Sequence, residues 1–405
     1  MLTNKNKPVL KVGLPAATVL FILLLIGAVS AVPPHIDAAV HGIGDAIPGI
    51  SCSNNMTATV YAEGLTSPDG LAFDTAGLLH VTEETAGGAT DGKITQIASN
   101  GAKTVLMSGL SYPEGIAFDA DNNLYFVQDT IGDGSLIKRT PAGVITVLHD
   151  DLNSPEGVAI GAGGTIYVTA SDAEKAVDDN PSPADLADIG NYKTYLYSIN
   201  PTGPFTSTTL LAIPTEPQID LFAQTAIIDQ PSFSGITIGL DGKIYVASES
   251  SGISDSRVVM VPNPLFPIQQ IEVTVNVTST RSVFVVDPLS PPSDPSKAPS
   301  PFVEGSIAPE GLRFQSAEGT GFPLLIVEKS SAGSNSGKLI SADINGNTTE
   351  LCTGFNAIED VIVDSEGNIY VTEDSDGQIV KLTLPVVIIP EDPPKHWIYL
   401  PLIVR

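Results

Sequence analysis

This chain is short of positive charge. Its 405 residues include 19 Lys and Arg against 46 Asp and Glu, for a formal net charge of −27. A nucleic-acid partner is excluded on that ground, because phosphate contacts are made by Lys and Arg. Charge of either sign is sparse, at 16% of residues. No Gly-x-Ser-x-Gly elbow, Cys/His metal spacing or phosphate-binding Gly loop occurs, so the chemistries tied to those motifs have no support. Histidine numbers five. His80 takes a tyrosine's place in a strand pattern and reads as a packed ring. His149 ends an outer strand, and His35, His41 and His396 lie outside the repeats. Cysteine is limited to Cys52 and Cys352, which permit one disulfide or stand as two separate thiols, since sequence separation does not fix Cα distance.

What the chain does have is turn formers and apolar residues. Gly and Pro number 37 and 32, and 42% of residues are hydrophobic. That mix suits many short strands around a sizeable core rather than long helices. The N-terminus carries Lys5, Lys7 and Lys11, then an apolar run from Val12 to Val32, with small residues at Val29-Ser30-Ala31. Residues 1–31 are expected to be a signal peptide; an uncleaved anchor, the one membrane contact expected, is the rival. Either way the body is expected to be secreted or cell-surface.

One element is written repeatedly. Ser67-Pro68-Asp69-Gly70-Leu71-Ala72-Phe73-Asp74 returns around Pro113-Glu114-Gly115, Pro155-Glu156-Gly157, Phe233-Ser234-Gly235, Pro309-Glu310-Gly311 and Ile358-Glu359-Asp360. Each copy opens a unit of four short apolar runs, the pattern of a four-stranded antiparallel sheet. The sixth unit lacks a fourth run, and Ala58–Leu65 supplies one from the other end of the chain. A sheet completed in this way closes a ring and hides its edges. The expected fold class is therefore all-β: a six-bladed β-propeller over 58–384, closed by an N-terminal outer strand after a lead-in at 32–57. Insertions are expected at 171–190, 215–230 and 262–297. The first two fall on the face of the Pro-acid-Gly turns, where they could form a lid. The third is placed on the opposite face, with Val258–Val261 as third strand of unit four and Ile271–Thr278 and Ser282–Val286 as an extra hairpin. Residues 385–405 form a Pro-rich linker and a short apolar tail.

The Pro-acid-Gly-apolar-Ala-apolar-Asp turn, followed by Leu/Ile-Tyr-Val, resembles the NHL repeat and the gluconolactonase (SMP-30)-like six-bladed propellers. The resemblance implies metal ligands and a catalytic acid where the innermost strands begin. In this chain those positions are Asp69, Glu114, Glu156, Ser234, Glu310 and Glu359. The family also uses an Asn among these turns, and no turn here carries one.

Five carboxylates at one mouth repel: at an effective dielectric near 20 and a spacing of about 6 Å, each pair costs roughly 3 kcal/mol. Such a cluster protonates in part, spreads, or takes a cation. An all-oxygen set suits Ca²⁺ or another divalent cation, and Asp69, Glu114, Glu156, Glu310 and Glu359 are the candidate metal ligands. Second-strand ends add Glu83, Gln128, Ser248, Glu328 and Glu373 near the same mouth. The alternative is that each acid serves the backbone of its own turn. For hydrolysis, Glu156 and Glu310 are the candidate catalytic carboxylates. No organic cofactor site is expected. Two functions follow: an exported, monomeric binding module for an extracellular ligand, glycan or protein, or a metal-dependent lactonase or esterase. The missing Asn favours binding.

Overall fold

The computed structural model describes residues 42–384 apart from 85–89, 131–133, 172–192, 204, 215, 221–224, 230, 251–255, 263–268, 279–281, 305–307, 317–320 and 330–334. The N-terminal apolar run, the acidic insertion at 171–190 beyond Ser171, and the C-terminal tail lie outside the described residues.

The fold is a six-bladed β-propeller, each blade a four-stranded antiparallel sheet. Blade one comprises Pro68–Phe73, Leu79–Glu83, Gly92–Ile97 and Lys103–Leu110. Blades two and three repeat that meander from Pro113–Phe118 and from Pro155–Ile160. Blades four, five and six begin at Pro231–Ile238, Pro309–Phe314 and Ile358–Val363. Each first strand packs against the first strand of the next blade, and the sixth against the first. The core is divided accordingly. Among the described residues six apolar clusters each lie between two neighbouring blades, as where Ala72, Ile94 and Leu110 of blade one meet Ile116, Phe126 and Ile137 of blade two. Strand residues alternate between the two faces of a sheet. With both faces of each blade covered by its neighbours, the second strands are buried on both parities: Leu79, Val81 and Glu83 and also His80 and Thr82 are buried.

The ring closes as expected. Thr57–Ala62 pairs antiparallel with Gln378–Thr383 as the outer strand of blade six. The lead-in does more than lead in. Ser51–Cys52 adds a fifth strand to blade five, with Cys52 directly opposite Cys352, and the two cysteines are joined as a disulfide with Cα atoms 4.0 Å apart. The N-terminal chain thus laces the outer edges of both blades that flank its closing strand.

Blade four corrects the expected strand assignment. Its third strand is Ser282–Val286, paired residue for residue with Ile244–Ser248, and its fourth is Pro301–Glu304. Val283, Phe284 and Val286 are buried, and Phe284 packs on Phe233 with ring centroids 5.9 Å apart. The run around Val258–Val261 belongs elsewhere: Ser256–Pro262 pairs with Gln270–Thr278. That strand runs parallel to Thr225–Asp229, which pairs with Glu216–Asp220. A seventh sheet results, made from two insertions. In a four-stranded meander the loops entering strand one and joining strands two and three open on one face. The large insertion of blade four is therefore 251–281, on the same face as the Pro-acid-Gly turns, and not 262–297 on the opposite one. Only the linker 287–300 is left on that opposite face, where Pro295 accepts a hydrogen bond from Ala212 N at 2.8 Å.

Candidate functional site: an acidic mouth

Local backbone geometry explains how the acids are aimed. The residue before each Pro-acid-Gly turn is left-handed although it is not glycine: Ser67, Tyr112, Ser154, Ala308 and Ala357 have φ between 35° and 62°. Such conformations are costly for L-residues and persist where surrounding bonds impose them. Here the carbonyl of that residue accepts the N–H that follows the second strand: Glu84 to Ser67, Asp129 to Tyr112, Lys329 to Ala308 and Asp374 to Ala357, at 2.8–3.0 Å. A threonine below adds a second lock. Thr169 Oγ1 accepts from Gly157 N at 2.7 Å and donates to Ser234 O of the next blade at 2.7 Å, and Thr372 makes the same link from Asp360 N to Asp69 O. The marker glycines answer to close approach between blades, since a Cβ on Gly115 would collide with Glu156 O and one on Gly235 with Glu310 O. In blade six Asp360 replaces the glycine and turns this contact into a bond, accepting from Leu71 N of blade one at 2.8 Å.

These strands bring the predicted carboxylates to one place. Asp69, Glu114, Glu156, Glu310 and Glu359 line a vestibule of about 200 Å³ on the mouth face. The same five, with Ser234, also line the top of a central channel of about 490 Å³ below it. They form a collar between two cavities.

The second-strand ends are a correction. Glu83, Gln128 and Glu373 do not face the mouth. They accept backbone N–H bonds from Thr66, Ser111 and Asn356 at 2.7, 3.0 and 2.8 Å, holding the preceding turn in place. Glu83 is further engaged by Thr95 Oγ1 at 2.5 Å and Lys93 at 3.1 Å. The following residue, with opposite strand parity, lines the vestibule instead: Glu84, Asp129, Lys329 and Asp374. His80 is a packed ring as expected, buried, bonded to Leu78 O and Gln96, and 4.8 Å from Phe118.

Among the described residues eight carboxylates and one lysine therefore line the vestibule, and the lysine is placed to one side. Lys329 Nζ lies 2.8 Å from Glu359 and 4.0 Å from Glu310. Across the mouth, Asp69, Glu84 and Glu114 each offer an oxygen within 4.8 Å of the others. Burial, then the charges of its neighbours, holds the Asp69 carboxyl well above the usual carboxylate range. Glu114 is raised for the same reasons, with a hydrogen bond between the Glu84 and Glu114 carboxyls adding to the rise. Glu359 is pushed up to about 8 by burial, with Lys329 opposing and Glu310 adding to the rise.

The chemistry of this trio suits a divalent cation. Ca²⁺ binds oxygens at about 2.3–2.6 Å, so ligands of one ion lie no more than about 5 Å apart, and it takes about 6–8 of them. Asp69, Glu84 and Glu114 meet the distance condition and leave coordination positions open towards the vestibule.

No family model matches this chain, and no curated protein matches it. Solved structures do. A gluconolactonase from Xanthomonas campestris superposes with a TM-score of 0.54 at 14% identity, over 85% of this chain and 99% of that one. The PQQ domain of a pyranose dehydrogenase from Coprinopsis cinerea gives 0.51 at 15%, over 82% and 97%. A carbohydrate-active enzyme of family AA12 from Trichoderma reesei gives 0.51 at 13%, over 85% and 98%. What is shared at such identities is the fold, the six-bladed propeller of the gluconolactonase-like structures.

Proposed function

We propose that this protein is an exported propeller whose acidic mouth holds a divalent cation and uses it to bind an oxygen-rich extracellular ligand, glycan or exposed protein group. One observation carries the reading. Asp69, Glu84 and Glu114 converge within 4.8 Å of one another, while Lys329, the one lysine among the described residues of the vestibule, is engaged with Glu359. Buried carboxylates without a counter-charge either keep protons or gather around a cation. Bound there, the ion would supply positive charge and open coordination positions for ligand oxygens. The protein residues divide the remaining work. Asp69, Glu84 and Glu114 hold the ion, and Lys329 neutralises the blade-five side. Calcium titration of the chelator-treated full chain by calorimetry tests this. Saturable binding that Asp69→Asn weakens at least tenfold supports it; no heat and no change in melting temperature reject it.

The second reading is hydrolysis of a lactone or ester. It is favoured by the position of Glu156 and Glu310 on the collar, where a carboxylate can activate water beside a cation-bound carbonyl. The Xanthomonas neighbour is a gluconolactonase, which makes sugar lactones the first substrates to try. Turnover of a lactone panel that needs Ca²⁺ and is lost in Glu156→Gln or Glu310→Gln would favour this reading over binding alone.

A further inference from the structure

The channel below the collar contains a charge for which the mouth has no use. Arg313 stands on the first strand of blade five where the other blades carry Ala72, Ala117, Ala159, Thr237 and Ile362. Its side chain lines the channel and is exposed to it. No hydrogen bond or ion pair within 4 Å links its guanidinium to any described residue. Asp360, the opposite charge that acts on it, has both oxygens engaged by backbone N–H groups, Leu71 at 2.8 Å and Val361 at 2.7 Å. Poor solvation draws the Arg313 pKa downward, with Asp360 opposing. A guanidinium presents five donors in a planar fork that matches a carboxylate.

The surroundings of Arg313 differ from the mouth. Beyond it, towards the face opposite the acids, the channel wall mixes half-buried Phe73, Phe118 and Phe314 with Gln315, Ser316 and Asp364; the Asp364 carboxylate is taken up by Asn368 and Tyr370, and Leu240 at the rim is 56% exposed. The collar of carboxylates repels anions from the other end. The channel volume of about 490 Å³ falls within the usual size of small-molecule sites.

We propose that the lower channel is a second binding site, for a small organic carboxylate with an aromatic or apolar body that enters from the face opposite the acidic mouth. Its carboxylate meets Arg313, and its body lies against Phe73, Phe118 and Phe314. This site does not depend on cation binding at the mouth.

The test uses the chelator-treated full chain with benzoate as the anionic probe and benzyl alcohol as its neutral counterpart, both followed by ligand-observed NMR and calorimetry. Benzoate should bind at least tenfold tighter than benzyl alcohol. Arg313→Gln should remove that preference while leaving benzyl alcohol and mouth calcium binding unchanged. Leu240→Asp, at the exposed rim, should weaken benzoate without lowering the melting temperature, which keeps the test valid if Arg313→Gln folds poorly. Equal affinity for the two probes, or benzoate binding unaltered in both variants, overturns the proposal.

Discussion

Lys329 and Glu359 meet at 2.8 Å on the blade-five side of the mouth, and this contact makes the collar asymmetric. Around it the carboxylates are partly neutralised. On the far side Asp69, Glu84 and Glu114 have mainly one another. A ring that looks six-fold in sequence is in charge terms two unlike halves.

The lysine should therefore stabilise the cation-free protein. Lys329→Gln is expected to cost about 1–2 kcal/mol in chelator at pH 9, where Glu359 is ionised, and less near neutral pH. That is less than a fully buried pair would give, because the lysine is 44% exposed. The same variant should gain more melting temperature from Ca²⁺ than the parent does. Thermal unfolding with and without Ca²⁺ reads both effects.

The acids on the other half should behave in the opposite way. Glu84→Gln removes a like charge, and Glu114→Gln puts a neutral hydrogen-bond donor where a raised carboxyl stands, so in chelator at pH 7.5 both should melt at or above the parent. Their affinity for Ca²⁺ should fall at least tenfold, about 1.4 kcal/mol. Variants that lose stability in chelator and keep calcium affinity would contradict the assignment.

Burial also predicts how stability varies with pH. Glu359 is pushed up to about 8 and Glu373 to about 7, both chiefly by burial. A carboxyl whose folded pKa is raised binds more protons folded than unfolded, so stability falls as pH rises. The decline should begin near the unfolded value of about 4.3 and level off above pH 8. In chelator the melting temperature should thus be higher at pH 5 than at pH 8, and saturating Ca²⁺ should reduce or reverse the difference.

Much of this site was legible from the repeated turn, because Pro, acid and Gly each answer to a separate constraint. Gly115 is required by Glu156 O, and the acid beside it emerges at the axis in every blade but the fourth. The second tier was missed by one residue. Glu83 and Glu84 are both acids, and only the register of Pro68 opposite Glu83 shows which parity enters the mouth. Lys329 was hidden because that position varies in charge from blade to blade. The blade-four error had another cause: Val258–Val261 and Ser282–Val286 are equally apolar, and choosing between them needs the space that Phe284 fills beside Phe233. The disulfide depended on Ser51–Cys52 adding to blade five, a contact across 300 residues that no local pattern encodes.

That disulfide closes most of the chain into a loop. On the chain-entropy relation a loop of this length is worth about 6 kcal/mol. Cys52→Ser with Cys352→Ser should lower the melting temperature clearly while leaving calcium affinity intact, since neither cysteine lies near the mouth cavities. Melting curves with and without reductant, run beside the double variant, check this.

The central claim is that the cation sits off the axis, on the side of blades one and two. Its most direct test is an anomalous difference map from crystals of the full chain soaked in Mn²⁺ as a stand-in for Ca²⁺. One peak within bonding distance of Asp69, Glu84 and Glu114 is the predicted result. A peak on the axis shared equally among the five collar acids, one beside Lys329, or no peak would contradict it.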